Sequence, residues 1–161
     1  MDGEGWTPVG ERVFRQLEEL TSLRVKVGFQ NDVKEKKRRG RGKKGTDNTD
    51  APLVAQVAAW NEFGTVNMPS RPFMRKSIDN NKDTMADYMR ELAAGVMDGS
   101  ITAQAALGEI GKTQKDYMQV EIDNGNFAPN AASTIRKKGS SHPLVDSGTM
   151  RASINYVIEK K

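Results

Sequence analysis

The sequence predicts an α+β fold, a small antiparallel sheet packed with a long helical hairpin and shorter helices, with a long basic loop. Three observations lead there. Two long stretches, about 71–97 and 102–124, repeat their apolar residues at helical spacing and are separated by the breaker Asp98-Gly99-Ser100. Strand-like segments stand near either end, at 23–29 and 154–158. Nowhere do strands and helices alternate as a parallel sheet would require. The 161 residues suffice for one core, so residues 1–161 are read as a single domain without internal repeats.

Each element has its own local reason. Thr7 is placed to cap a helix over 8–21, Pro8 suits its first turn, and Val9, Val13, Leu17 and Leu20 share a face. Leu23-Arg24-Val25-Lys26-Val27-Gly28-Phe29 alternates apolar and polar, the pattern of a half-buried strand. Asp50-Ala51-Pro52 opens a helix to about Phe63, with Val54, Val57, Ala58 and Asn61 on one side and Gly64 as its stop. A long helix is predicted from Arg71-Pro72-Phe73 to Met97, turning Met74, Ile78, Met85, Met89, Leu92 and Val96 inward. Its partner over 102–124 turns Leu107, Ile110, Tyr117, Met118 and Ile122 inward, and the short link between them implies an antiparallel pair. The eight methionines fall mostly on these inward faces and read as core filling. A short helix near 131–137, a turn over 139–143 and a strand over 154–158 complete the chain.

Charge is distributed unevenly. Lys34, Lys36, Lys37, Arg38, Arg39, Arg41, Lys43 and Lys44 face a single acid, Glu35, so eleven residues carry +7. The net charge is +4, which leaves −3 on the rest of the chain. Gly40, Gly42 and Gly45 interrupt the run, and no apolar periodicity offsets its ordering entropy. Residues 31–50 are therefore expected to form a mobile cationic loop. Such a loop suits sequence-independent contact with phosphates, or an acidic protein surface. It lacks interleaved aromatics for base stacking.

The equipment for catalysis is sparse. With no cysteine and one histidine, thiolate chemistry and His-rich zinc sites are excluded. His142 lies near Asp146, Ser140, Ser141 and Ser147, but no Gly-x-Ser-x-Gly pattern accompanies it. Gly40-Arg41-Gly42-Lys43-Lys44-Gly45 lacks the Gly-Lys-Ser/Thr ending of a phosphate loop. Neither an EF-hand nor a carboxylate cluster is present, so no cofactor or metal is expected. No apolar run approaches the ~18 residues of a membrane span, and Met1-Asp2-Gly3-Glu4-Gly5 does not open a secretory signal. The expectation is a non-enzyme, made in the cytoplasm and without a membrane partner.

Two stretches carry a resemblance. The first is Ala58-Ala59-Trp60-Asn61-Glu62-Phe63-Gly64-Thr65, followed by Pro69-Ser70-Arg71-Pro72-Phe73-Met74-Arg75. The second runs from Pro129-Asn130 through Thr134-Ile135-Arg136-Lys137-Lys138-Gly139 to Pro143-Leu144-Val145-Asp146-Ser147-Gly148-Thr149-Met150-Arg151-Ala152-Ser153-Ile154. In this order and separation the two blocks resemble the tail-completion, or head-to-tail joining, proteins of long-tailed bacteriophages, the minor tail protein Z-like group. The basic run at 31–50 is longer than that family's pattern. The resemblance implies a structural virion protein of the neck, assembled in the host cytoplasm. It also implies a ring, of six copies or of twelve, that meets the tail terminator, the tail tube and head-completion proteins. Trp60, Glu62, Phe63, Arg71, Phe73, Asp146 and Arg151 are then the expected interface residues; the resemblance leaves the basic loop's role open, and its cations suit either DNA in the channel, the favoured destination, or an acidic neighbouring protein outside. The alternative is a small nucleic-acid-binding protein acting through residues 34–44.

Overall fold

The computed structural model describes residues 7–29, 34 and 51–161. It is α+β, with seven helices and one two-stranded antiparallel sheet among these residues. Helix α1 (Pro8–Ser22) starts where Thr7 Oγ1 accepts the Gly10 N–H at 3.2 Å, and it runs directly into strand β1 (Leu23–Phe29). Helices α2 (Val54–Phe63), α3 (Phe73–Asp79), α4 (Lys82–Asp98), α5 (Ala103–Asn124), α6 (Ala132–Lys138) and α7 (Thr149–Ala152) follow, and strand β2 (Ile154–Lys160) closes the chain. Lys36, Lys37, Arg38, Arg39, Arg41, Lys43 and Lys44 lie outside the described residues. Lys34 is exposed and bridges to Leu53 ahead of α2.

The strands pair from Leu23↔Lys160 to Phe29↔Ile154, so β2 is two residues longer than its apolar pattern predicts. Charge explains the extension. Arg24 Nη2 lies 2.7 Å from Glu159 Oε1, and Lys26 joins the same oxygen. Hydrogen bonds from Lys26 and then Arg24 hold the Glu159 carboxyl below its ordinary value. The opposite sheet face lies on α5 at its closest approach. A Cβ on Gly111 would stand 2.6 Å from the Tyr156 ring and 2.9 Å from Val25 Cγ2, so only glycine lets this helix sit so near the sheet.

The core has two centres. Val54, Ala58, Phe73, Met118, Ile122, Met150 and Ile154 form the larger, where Phe29 meets Phe73 edge to face at 6.1 Å. Leu92, Val96 and Ala106 form the smaller, beneath Leu17 and Ile101, and pack α4 with α5 as a hairpin. Helix α1 contributes a second tie, Gln16 Oε1 accepting the Ala103 N–H at 2.8 Å at the start of α5. Among the described residues no helix is long and apolar enough to cross a membrane.

Two expectations need correction. The helix predicted from 71 to 97 is two helices, broken at Asn80-Asn81. Asn81 Nδ2 donates to the Ser77 carbonyl at 2.8 Å, and Asn80 Nδ2 reaches Glu121 of α5 at 3.1 Å. Asn81 thus takes over a carbonyl that a continuous helix would use, and Asn80 ties the break to α5. Ile78 (54% exposed) and Met89 (42% exposed), read as inward from the periodicity, stand at the surface instead of in the core.

Gly111→Ala should destabilise the fold, because overpacking of about 1–3 kcal/mol outweighs the ~1 kcal/mol that alanine gains in a helix. Gly108, one turn earlier, has only the Tyr156 hydroxyl at 3.9 Å from its added Cβ. Gly108→Ala should therefore stabilise by up to about 1 kcal/mol. Denaturant melts of the two variants are expected to shift in opposite directions.

Candidate assembly surface

The two sequence blocks, far apart in the chain, share the main core through Ala58, Phe73, Met150 and Ile154, and a single polar side chain fastens them as well. Arg71 is 5% exposed. Its Nε donates to the Ala128 carbonyl at 2.9 Å, and its Nη2 to the Pro129 carbonyl at 3.1 Å and to Asn130 Oδ1 at 3.2 Å. Asn130, itself buried, passes the connection on by donating from Nδ2 to the Ser141 and His142 carbonyls. Burial, by desolvating the charge, pulls the Arg71 guanidinium below its ordinary pKa. The acceptors of Arg71 are thus main-chain carbonyls and a side-chain amide oxygen. A guanidinium fork suits several fixed acceptors at once.

Glu62 does the equivalent work inside the first block. It sits at the last turn of α2, 2% exposed, and its carboxylate caps the start of α3. Oε2 accepts the Met74 N–H at 2.9 Å; Oε1 accepts the Arg75 N–H at 3.2 Å and Arg75 Nε at 2.9 Å. The first turn of a helix leaves N–H groups unpaired, and a carboxylate there also meets the positive end of the helix dipole. Gly64 makes the geometry possible. Its φ is +78°, and a Cβ would stand 2.8 Å from Ser70 N and 2.9 Å from the Met68 carbonyl. Ser70 Oγ donates to the Glu62 carbonyl at 2.7 Å, and the Arg71 N–H to the Asn61 carbonyl at 2.6 Å. The chain between α2 and α3 is pinned along its length.

The second block is built by similar means. Gly148, at φ +79°, and Ser147, whose Oγ accepts the Thr149 N–H at 3.1 Å, start the short helix α7. That helix buries Met150 against the main core. Arg151 Nε lies 2.8 Å from both oxygens of Asp123 at the end of α5. His142 turns both ring nitrogens to main-chain carbonyls, Nε2 to Asp123 at 2.9 Å and Nδ1 to Pro143 at 2.7 Å. Between the blocks lies a shallow hollow of about 180 Å³ lined by Val57, Asn61, Arg71, Asn130, Leu144 and Met150 among others. Among the described residues no three His, Asp or Glu side chains converge as metal ligands would.

The expected interface residues thus divide. Glu62, Arg71 and Phe73 are buried within the chain and shape the surface from beneath. Arg151 is half-buried on Asp123, and Asp146 is exposed. Trp60 (46% exposed) and Phe63 (71% exposed) project outward, with Val66 fully exposed in the turn that follows. Arg75 lies over the Phe63 ring, 5.5 Å from its centroid, and steadies it. Asn130 and Asp123 were not among the expected residues. Their signals were weak: an asparagine beside Pro129 in the second block, and one carboxylate among many on a helix. The chain matches no protein-family model, no curated protein and no solved structure.

Glu62→Ala should destabilise by about 2–4 kcal/mol, since it strands two helix N–H groups and a charged partner. Glu62→Gln keeps an acceptor oxygen and should lose roughly half of that. Chemical denaturation followed by circular dichroism distinguishes the two; equal losses would mean the carboxylate acts only as volume.

Proposed function

We propose that this chain is a structural protein of the neck of a long-tailed bacteriophage, a tail-completion protein that assembles as a ring and joins the tail to the head. The observation that carries the reading is the meeting of the two resembling blocks. Residues 58–75 and 129–154 are separated in sequence, yet Arg71 and Asn130 fasten them into one body. Within that body the polar residues of both blocks hold turns and helix ends, which suits assembly rather than catalysis. Trp60 and Phe63 are left outward as large apolar anchors of the kind that dominate protein contacts.

On this reading six copies close around the tail axis, with tail-terminator, tail-tube and head-completion proteins as neighbours and the virion neck as the final location. A cyclic arrangement would bring six runs of +7 into one zone, where phosphate contacts add by multivalency. The same run supports a second reading, a small DNA-binding protein that needs no virion.

Deleting the gene should leave filled heads and separate or defective tails in electron micrographs, and infectious particles of normal yield would end the neck reading. Replacing Lys36, Lys37, Arg38, Arg39 and Arg41 by Ser should leave the melting curve unchanged, because none belongs to an apolar face. DNA binding by this variant should lose up to about 4–5 from its log–log salt slope. Binding and virions unchanged at every ionic strength would reduce the run to a solvated insertion.

A further inference from the structure

An open apolar groove spans the break at Asn80-Asn81. Val25 and Val27 of β1 form one wall, Met74 and Ile78 of α3 another, Met85 and Met89 of α4 a third, and Met118 of α5 lies at its floor. The volume is about 300 Å³, twice the ~150 Å³ that holds a benzene molecule in an engineered apolar cavity. Its principal polar group, Gln114, is turned to α3, donating from Nε2 to Ser77 Oγ at 3.0 Å. Four methionines line it, and thioether sulfur packs well against aromatic edges. The groove is shaped for one or two aromatic rings.

The chain carries such rings. Phe63, with Trp60 and Val66, forms the most exposed aromatic knob described, and Arg75 holds the Phe63 ring outward. Knob and groove cannot meet within one molecule. Met74 and Ile78 face the groove, whereas Arg75, one residue on and about 100° around α3, faces Phe63. The two features therefore occupy different sides of the same helix.

We propose that the Phe63 knob of one copy seats in the methionine groove of the next. A contact between two different patches is heterologous, and repeated copies of it close into a ring when the rotation permits. This deepens the neck reading and rests on it only for the number of copies; the contact itself is a property of the purified chain. It also explains why Ile78 and Met89 are exposed in a single molecule.

The absence of cysteine from the sequence makes the test clean. The full chain carrying both Val66→Cys, beside the knob, and Asp79→Cys, beside the groove, keeps Phe63 and Ile78 in place and, mildly oxidised, should give a ladder of disulfide-linked multimers on a non-reducing gel. Either single variant should give only background dimer. A double variant that stays monomeric would overturn the proposal, as would single variants that dimerise as efficiently as the double one, since that marks a two-fold face. In parallel, Met89→Glu should keep the wild-type melting curve while sedimentation shows self-association weakened about 30-fold. Unchanged association, or a wild-type chain monomeric at the highest concentrations, would overturn it too. A ladder from a chain whose deletion leaves virions normal would sink the neck reading and leave this contact standing. Defective virions with no ladder would do the reverse.

Discussion

The arrangement of this protein depends on a guanidinium buried among carbonyl oxygens. Arg71 is almost wholly enclosed, yet its three acceptors are the Ala128 and Pro129 carbonyls and the Asn130 amide oxygen. Removing a charge from water is expensive, and carbonyl dipoles offset that only when their geometry is fixed. The fork therefore ties the chain after α5 to the chain before α3. Where the guanidinium sits, the backbone from Ala128 to Asn130 must follow. Through Asn130 the same constraint reaches the carbonyls of Ser141 and His142. The segment between α5 and α7, which packs Phe127, Leu144 and Val145 against the core, is held in addition by this chain of donors.

Glu62 and Arg71 divide one task. Glu62 fixes the direction of α3 by capping its first turn, and that direction decides which side of α3 carries Phe73 into the core. Arg71, two residues before α3, fixes what the start of α3 lies against. With α3 so placed, its remaining sides carry Arg75 to the Phe63 ring and Met74 and Ile78 to the methionine groove. The buried ionic groups thus orient a helix that has exposed apolar features on two sides. Stability is a lesser part of their effect, since buried charges repay their desolvation poorly.

Much of the fold was legible because it is written in local chemistry. Thr7-Pro8 opens α1, the alternation of Leu23–Phe29 makes β1, and Gly64 and Gly99 end their helices with positive φ. The break at Asn80-Asn81 was not legible, because Met74, Ile78, Met85 and Met89 keep helical spacing across it. Periodicity reports which residues share a face; it does not report whether a partner covers that face. For the same reason Ile78 and Met89 read as core and are exposed. The Arg75 partner was foreseeable as a carboxylate, whereas the Arg71 acceptors were not, since carbonyls 57 to 59 residues away leave no mark on the sequence. The cationic residues 36–44 declare themselves by composition alone.

Hydrogen exchange in Arg71→Lys tests the role of this guanidinium most directly. Lysine keeps the charge and lacks the fork, so it cannot bind the Ala128, Pro129 and Asn130 acceptors together. Amides over 126–145 are predicted to exchange faster by an order of magnitude or more, with about 2 kcal/mol lost locally, while α4 and α5 keep their protection. If residues 126–145 retain wild-type protection in this variant, Arg71 does not hold the two blocks together and the account is wrong.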